Sequence, residues 1–179
     1  MQRTTRFFLV PGLGGSGPAH WQTYFERVHP EFTRIEQREW DAPDRTEWVV
    51  TIEQALAGED LAQVVLIAHS LGCATVAHWA AQYGRAIRGA LLVAPADVET
   101  AHFAACPATG FGPMPLQRLP FPSKVVTSTN DQWVTEARAR QFAAAWGSEL
   151  VVVGNAGHLN ADSGYGDWPA GLELLGDWA

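Results

Sequence analysis

The chain has 179 residues, 47% of them hydrophobic, which is enough for one well-filled core, and we expect a single domain over residues 1–179. Its 12 basic and 19 acidic side chains give a formal net charge of −7 without a basic cluster, which argues against nucleic acid or an anionic membrane as a partner. No apolar run approaches the roughly 18 residues that span a bilayer, and no signal peptide is visible. Two cysteines are too few for a disulfide framework, so a cytoplasmic location is expected.

Short apolar runs rich in valine and leucine predict strands that are covered on both faces. Five such runs occupy residues 6–10, 63–68, 88–94, 123–129 and 148–154, and a weaker run that alternates with charge predicts an edge strand at residues 33–39. Helix-length segments lie at residues 18–29, 45–58, 71–84, 135–146 and 168–178. This alternation predicts an α/β fold with a mostly parallel sheet of about six strands and helices on both faces.

One long irregular stretch, residues 95–122, interrupts the alternation and holds five prolines between positions 107 and 122. Long loops are often functional, but this one is too rich in proline for a long helix, so no separate lid domain is expected. Two interpretations of its apolar side chains stay open: they form a short flap or wall over a shallow substrate pocket, or they cover the sheet edge as part of the core. These side chains are Phe103, Phe111, Met114, Leu116, Leu119 and Phe121.

The stretch VVLIAHSLGCATVAHW, residues 64–79, passes from a buried strand into a helix through a serine that has small residues on both sides. In an open α/β sheet, ligands bind outside the carboxyl ends of the strands, and this turn is at such an end. Its residues AHSLG, 68–72, fit the G-x-S-x-G nucleophile elbow, in which a strained turn projects the serine hydroxyl above the sheet, with alanine in place of the first glycine. The alternative is that Ser70 is an ordinary helix N-cap.

A serine hydroxyl is a weak nucleophile and needs an adjacent base, which in turn needs an orienting acid. In this topology the three groups follow in the order serine, acid, histidine. Asp131 comes directly after the run at 123–129, and His158 follows the last strand in a glycine-bearing loop. We therefore predict a triad of Ser70, Asp131 and His158, with Asp97, which follows the preceding strand, as the competing acid.

The other histidines are expected to play lesser parts. His69 is beside the predicted nucleophile and is expected to point away from it, whereas His20 comes just after a glycine-rich loop and is expected to line the site. His29, His78 and His102 lie on helices or loops without a partner pattern, which indicates structural roles.

The glycine-rich loop PGLGGSGPAHW, residues 11–21, follows the first strand. Acyl transfer develops negative charge on the carbonyl oxygen, and two backbone N–H groups must already point at it. We expect one from Leu71, at the start of the elbow helix, and the other from Leu13, with Gly14 as second choice. A phosphate-binding loop is the alternative, but the spacing is not G-x-G-x-x-G and no P-loop lysine follows. The residues expected to bind substrate are Gly12, Gly14, His20 and Trp133.

The segments VPGLGGSGPAHW, AHSLGC, TSTNDQWV and NAGHLNADSGYGDWP together span almost the whole chain. In these segments the sequence resembles the α/β-hydrolase superfamily, and within it the small serine hydrolases of the retinoblastoma-binding protein 9-like family. The resemblance implies a compact α/β-hydrolase fold without a separate lid domain, and Ser70, Asp131 and His158 as the triad. Gln132 departs from the pattern, because many relatives carry proline after the acid.

These features predict two-step acyl transfer through an acyl-enzyme on Ser70, with a small ester or amide as substrate and without a metal or organic cofactor. A peptidase that acts on small amino-acyl substrates is one alternative. A protein-interaction module that retains the fold is another, because fold alone does not fix function. A protein partner is possible in either case but cannot be identified from the sequence.

Overall fold

The computed structural model describes residues 4–178, and their centre is one six-stranded sheet. All five strand pairings are parallel, and the strand order is β2-β1-β3-β4-β5-β6. The strands are β1 (Arg6–Val10), β2 (Phe32–Arg34), β3 (Val64–His69), β4 (Gly89–Val93), β5 (Ser123–Thr127) and β6 (Glu149–Val152). The α/β-hydrolase fold predicted from the sequence is therefore confirmed, as a parallel sheet with all of its strand carboxyl ends along one edge.

Helices pack on both faces of this sheet. They are α1 (Trp21–Val28), α2 (Arg45–Ala55), α3 (Leu71–Tyr83), α4 (Ala101–Ala104), α5 (Glu136–Trp146) and α6 (Pro169–Glu173), with short 3-10 turns at Leu61–Gln63, Ala161–Ser163 and Gly176–Trp178. Asp44 and Thr135 cap the amino ends of α2 and α5 with their side-chain oxygens, and Gly84 and Gly147 end α3 and α5 in left-handed conformations. These are the residue types that helix termini favour.

Alternate residues of the central strands contribute to two separate cores. Phe8, Val10 and Leu66 pack toward α2, α3 and α5, whereas Leu9 and Ile67 pack toward α1 and α6. Successive side chains of a strand point to opposite faces, so the continuous apolar runs in the sequence reflect a sheet that is buried on both sides.

Two predicted elements are shorter in the structure than the sequence suggested. The edge strand predicted at residues 33–39 pairs with β1 only over Phe32–Arg34, because β1 is followed by Pro11, which has no N–H to continue the ladder. The helix predicted at residues 168–178 spans only Pro169–Glu173, and a separate 3-10 turn begins at Gly176, whose φ is +46°. The one-turn helix α4 was not predicted.

The structure decides between the two interpretations of residues 95–122. Phe111, Met114, Leu119 and Phe121 are buried in the core with α2, α3 and α5, and Leu116 is 40% exposed. Of the six apolar side chains, only that of Phe103 lines the pocket that contains Ser70. The segment is thus mainly core that covers one side of the sheet, and a flap built from all six side chains was the wrong interpretation.

Candidate active site

Ser70 lies in the tight turn between β3 and α3. Its backbone has φ of +55° and ψ of −120°, a conformation that is rare for a residue with a side chain, and its hydroxyl makes no capping bond to α3. Gly72 lets the turn pass against β1, because a Cβ there would overlap the carbonyl oxygens of Val10 and Pro11. The position of the first glycine of the motif holds Ala68, which is fully buried. These features are those of a nucleophile elbow rather than of an ordinary N-cap.

His158 lies between Ser70 and Asp131. Its Nε2 is 2.9 Å from Ser70 Oγ, and its Nδ1 is 2.8 Å from Asp131 Oδ2. The Asp131 side chain has no exposed surface and that of His158 is 8% exposed. The second carboxylate oxygen of Asp131 accepts the Trp133 N–H at 2.8 Å. In this arrangement the serine hydroxyl donates to the imidazole, and the imidazole Nδ1–H donates to the carboxylate, which is the geometry that activates a serine.

The parallel sheet brings the three groups together, because Ser70, Asp131 and His158 follow β3, β5 and β6 at the same edge. The competing acid, Asp97, contacts other groups instead of His158. Its Oδ2 is 3.3 Å from Arg138 Nε, and its Oδ1 accepts the Glu99 N–H at 3.2 Å. The acid that contacts the imidazole is therefore Asp131.

A hydrogen-bond network ties the loop of the acid to the loop of the histidine. Asn130 Oδ1 accepts the Gly157 N–H at 2.8 Å and the Ser128 hydroxyl at 2.7 Å, and Ser128 Oγ accepts the Ala156 N–H at 3.0 Å. The backbone N–H of His158 donates to Ser163 Oγ at 3.1 Å. These bonds fix the relative position of the two loops, and so they hold Asp131 in contact with His158.

Leu71 and Leu13, the two predicted oxyanion donors, both line the pocket. Leu71 is the first residue of α3, where helix geometry supplies no acceptor for its N–H. The N–H of Gly14, the second choice from the sequence, already donates to the Trp40 carbonyl at 3.0 Å, whereas that of Leu13 makes no backbone hydrogen bond within residues 4–178. The structure thus favours Leu13 over Gly14 as the second donor.

The glycine loop is bonded by Arg34, whose side chain is 9% exposed. The Arg34 guanidinium donates to the carbonyl oxygen of Gly15 and to Thr23 Oγ1, the latter at 2.6 Å, and pairs with Glu26 at 3.0 Å. Gly12 also serves this packing, since a Cβ there would lie 3.0 Å from Ser70 Cβ. Gly12 was predicted to bind substrate, but it lies behind the elbow and outside the pocket wall.

The pocket around Ser70 has a volume of about 260 Å³, just below the ~300–1,000 Å³ of sites for drug-sized ligands. Of the residues predicted to bind substrate, Gly14, His20 and Trp133 line it. The remaining lining residues are Leu13, Ser16, Gly17, His69, Ser70, Leu71, Ala96, Phe103, His158, Asn160, Ala161 and Asp162. Sequence reasoning missed Asn160, Ala161 and Asp162, although their place two to four residues after His158 could have indicated them.

Three imidazole rings pack in a row in this wall. The ring centroids of His20 and His69 are 4.7 Å apart, and those of His69 and His158 are 4.8 Å apart. Burial, with smaller contributions from Arg34 and His158, lowers the pKa of His20 to about 3, and burial lowers the pKa of His69 well below its usual value. His69 therefore stays neutral, and its Nε2 donates to the carbonyl oxygen of His158 at 2.9 Å rather than contacting the serine.

The other three histidines, His29, His78 and His102, do not line the pocket. His78 Nε2 is 2.7 Å from the Phe111 carbonyl oxygen, and His29 is 3.6 Å from Glu31. His102 is close to the site without lining it, because its ring packs 4.3 Å from that of Trp133.

Among residues 4–178, no group of three or more histidine, cysteine or acidic side chains is arranged to hold a metal ion. Over the same residues, no helix combines the length and the apolar character that a membrane span requires. A larger cleft of about 880 Å³ lies at the amino ends of β5 and β6 and is lined by Arg118, Lys124 and Trp178. That cleft is at the opposite edge of the sheet from Ser70, so the smaller pocket is the candidate site.

The fold and the elbow together define a serine hydrolase of the α/β-hydrolase class. The profile of the serine hydrolase family matches residues 7–177, and the chain belongs to that family. A search of curated proteins found no match.

Solved structures resemble the chain over nearly its whole length. A YdeN-like hydrolase from Pectobacterium atrosepticum is 38% identical, with a TM-score of 0.86 over 98% of this chain and 90% of that one. The YdeN gene product of Bacillus subtilis is 18% identical, with a TM-score of 0.76 over 98% of both chains. The carboxylesterase CesB of Bacillus subtilis shares the fold at 12% identity, with a TM-score of 0.67 over 98% of this chain and 84% of that one.

Proposed function

We propose that the protein is a serine esterase that hydrolyses small esters through an acyl-enzyme on Ser70. The observation that carries this proposal is the continuous chain of hydrogen bonds from Ser70 Oγ through His158 to the buried Asp131. Membership of the serine hydrolase family supports the same chemistry.

In the first step Ser70 Oγ attacks the ester carbonyl carbon while His158 Nε2 takes the hydroxyl proton. The carbonyl oxygen becomes an oxyanion, and the N–H groups of Leu71 and Leu13 would hold it. The tetrahedral intermediate then expels the alcohol, which receives the proton from His158. Water enters, gives its proton to the same imidazole and attacks the acyl-enzyme, and the acid leaves as Ser70 regains its proton. Asp131 keeps the imidazole in the tautomer that has Nε2 free to accept.

The size and polarity of the pocket favour a small substrate. A volume of about 260 Å³ is below the ~300–1,000 Å³ of sites for drug-sized ligands, so it suits a small ester. Phe103 and Trp133 provide apolar surface, and the lining contains no lysine or arginine among the described residues. We therefore expect neutral esters with short acyl groups to be the best substrates.

One feature favours a second candidate, the hydrolysis of small amino-acyl amides. Asp162 is an exposed carboxylate in the pocket wall, where it could attract a substrate ammonium group. Comparing the p-nitrophenyl ester and the p-nitroanilide of alanine separates the two: an esterase cleaves the ester alone at an appreciable rate, whereas a peptidase cleaves both.

We further propose that the chain belongs, within the serine hydrolases, with the retinoblastoma-binding protein 9-like group, on the four sequence segments named above. A cytoplasmic location is also part of the proposal, because Cys73 and Cys106 are both free, which suits a reducing compartment.

Labelling with a fluorophosphonate probe tests the nucleophile. The wild type should be labelled covalently, and S70A should lose the label while its circular dichroism spectrum and its Tm stay close to those of the wild type. S148A is the matched control, because Ser148 lies at the other end of the strands and its hydroxyl forms a hydrogen bond with the Ser123 hydroxyl. Labelling that survives in S70A would rule out the assignment.

A further inference from the structure

His20 has a buried donor that the reaction described above does not use. The residue is 5% exposed and lies in the wall of the pocket that contains Ser70. It is the N-cap of α1, and its Nδ1 accepts the backbone N–H of Gln22 at 3.1 Å. A neutral imidazole that accepts at Nδ1 carries its hydrogen on Nε2.

The Nε2–H of His20 has no acceptor in the described part of the chain. Buried polar atoms without a partner are rare, and where one occurs in a ligand pocket a bound group is the natural partner. The neighbouring ring of His69 does not supply the acceptor, because no hydrogen bond joins the two rings, although their centroids are only 4.7 Å apart. Since burial keeps His20 neutral near pH 7 by lowering its pKa, its Nε2–H serves an acceptor and not specifically an anion.

We propose that His20 is a specificity-determining residue whose Nε2–H donates a hydrogen bond to a second oxygen of the substrate, outside the reacting ester group. The preferred substrates are then short esters with an ether, hydroxyl or carbonyl oxygen in place of a methylene. The inference rests on the proposed esterase activity and refines its substrate class. A site built to bond an oxygen selects against an analogue that lacks it, because the analogue leaves the buried donor without a partner.

Two pairs of isosteric esters test the proposal, and each pair exchanges one methylene for oxygen. p-Nitrophenyl methoxyacetate against p-nitrophenyl butyrate examines the acyl side, and 2-methoxyethyl butyrate against butyl butyrate examines the alcohol side. The measured quantity is the ratio of kcat/KM, oxygen ester over alkyl ester, divided by the same ratio for hydrolysis by hydroxide. In the wild type we expect this normalised ratio to be about three to ten in at least one pair.

The matched variants are H20N and H20Q. Asparagine is a preferred N-cap, so H20N keeps the bond to the Gln22 N–H but removes the donor at the Nε2 position. H20Q brings an amide N–H back near that position. The normalised ratio should fall to about one in H20N and recover in part in H20Q, which a purely structural role of His20 would not produce.

Three outcomes would contradict the inference. A wild-type ratio near one in both pairs would overturn it even if no variant folds. A ratio that is above one but unchanged in H20N would also overturn it, since the selectivity would then come from another group. Failure of the wild type to hydrolyse any of the four esters and to react with a fluorophosphonate would refute the proposed function itself, and the inference with it.

Discussion

Replacing Asp131 with asparagine gives the sharpest test of the acid. The change is nearly isosteric, and the structure fixes how the new amide must sit. Asp131 Oδ1 accepts the Trp133 N–H at 2.8 Å, and this N–H needs an oxygen opposite it. In D131N the amide oxygen therefore takes that place, and the NH₂ group faces His158 Nδ1.

An amide donor at this position reverses the tautomer of the imidazole. Nδ1 must then accept, so the hydrogen moves to Nε2, and Nε2 can no longer take the proton of Ser70 Oγ from 2.9 Å away. The analogous change in a serine protease lowers kcat about 10⁴-fold, which corresponds to about 5.4 kcal/mol of transition-state stabilisation. We expect a loss of the same order here, because both bonds of His158 are in place and the Asp131 side chain is shielded from water.

The assay is kcat and KM for p-nitrophenyl butyrate at pH 7–8, with the rate of fluorophosphonate labelling as a second readout. D97N is the control, because Asp97 pairs with Arg138 and should cost little activity when changed. A D131N enzyme that keeps more than about a tenth of wild-type kcat would refute the tautomer argument. A larger loss in D97N than in D131N would move the acid to the loop after β4.

Three further outcomes follow from the pocket and the elbow. For p-nitrophenyl esters, kcat/KM should rise by up to about fourfold per added methylene while the chain still fits, peak at roughly two to six acyl carbons and then fall; rates that climb steadily to twelve or sixteen carbons would reject the small pocket. G72A should lower the free energy of unfolding by about 1–3 kcal/mol and Tm by roughly 2–12 °C, because the new Cβ overlaps the carbonyl oxygens of Val10 and Pro11. Thermal unfolding measures this loss, and G17A is the control, because a Cβ at Gly17 meets nothing within 4 Å. D162N should reduce the preference for butyrylcholine over 3,3-dimethylbutyl butyrate by about twofold to fivefold at low salt, as expected for an exposed charge; no change in that preference would show that Asp162 does not attract the cationic substrate.

Most of the central strands and helices could be predicted from short stretches of the sequence. Buried parallel strands need continuous apolar runs, so the central strands and the helices between them could be predicted to within a few residues. The elbow could be predicted equally well, because a serine between small residues, at the end of a buried strand and the start of a helix, is typical of that turn. The length of the edge strand could not be predicted from its own residues. β2 was predicted too long, because its end depends on Pro11, which follows the neighbouring strand β1.

Only the tertiary structure could choose between candidates that the sequence left open. Asp131 and Asp97 both follow strands, and the ion pair between Asp97 and Arg138 and the 2.8 Å contact of Asp131 with His158 separate them. Leu13 is favoured over Gly14 by a hydrogen bond from Gly14 to Trp40, a residue far along the chain. The reason is the same in both cases: strand-forming preferences act between near neighbours in the chain, whereas the partner of a carboxylate or an N–H depends on which distant loops the folded sheet brings together.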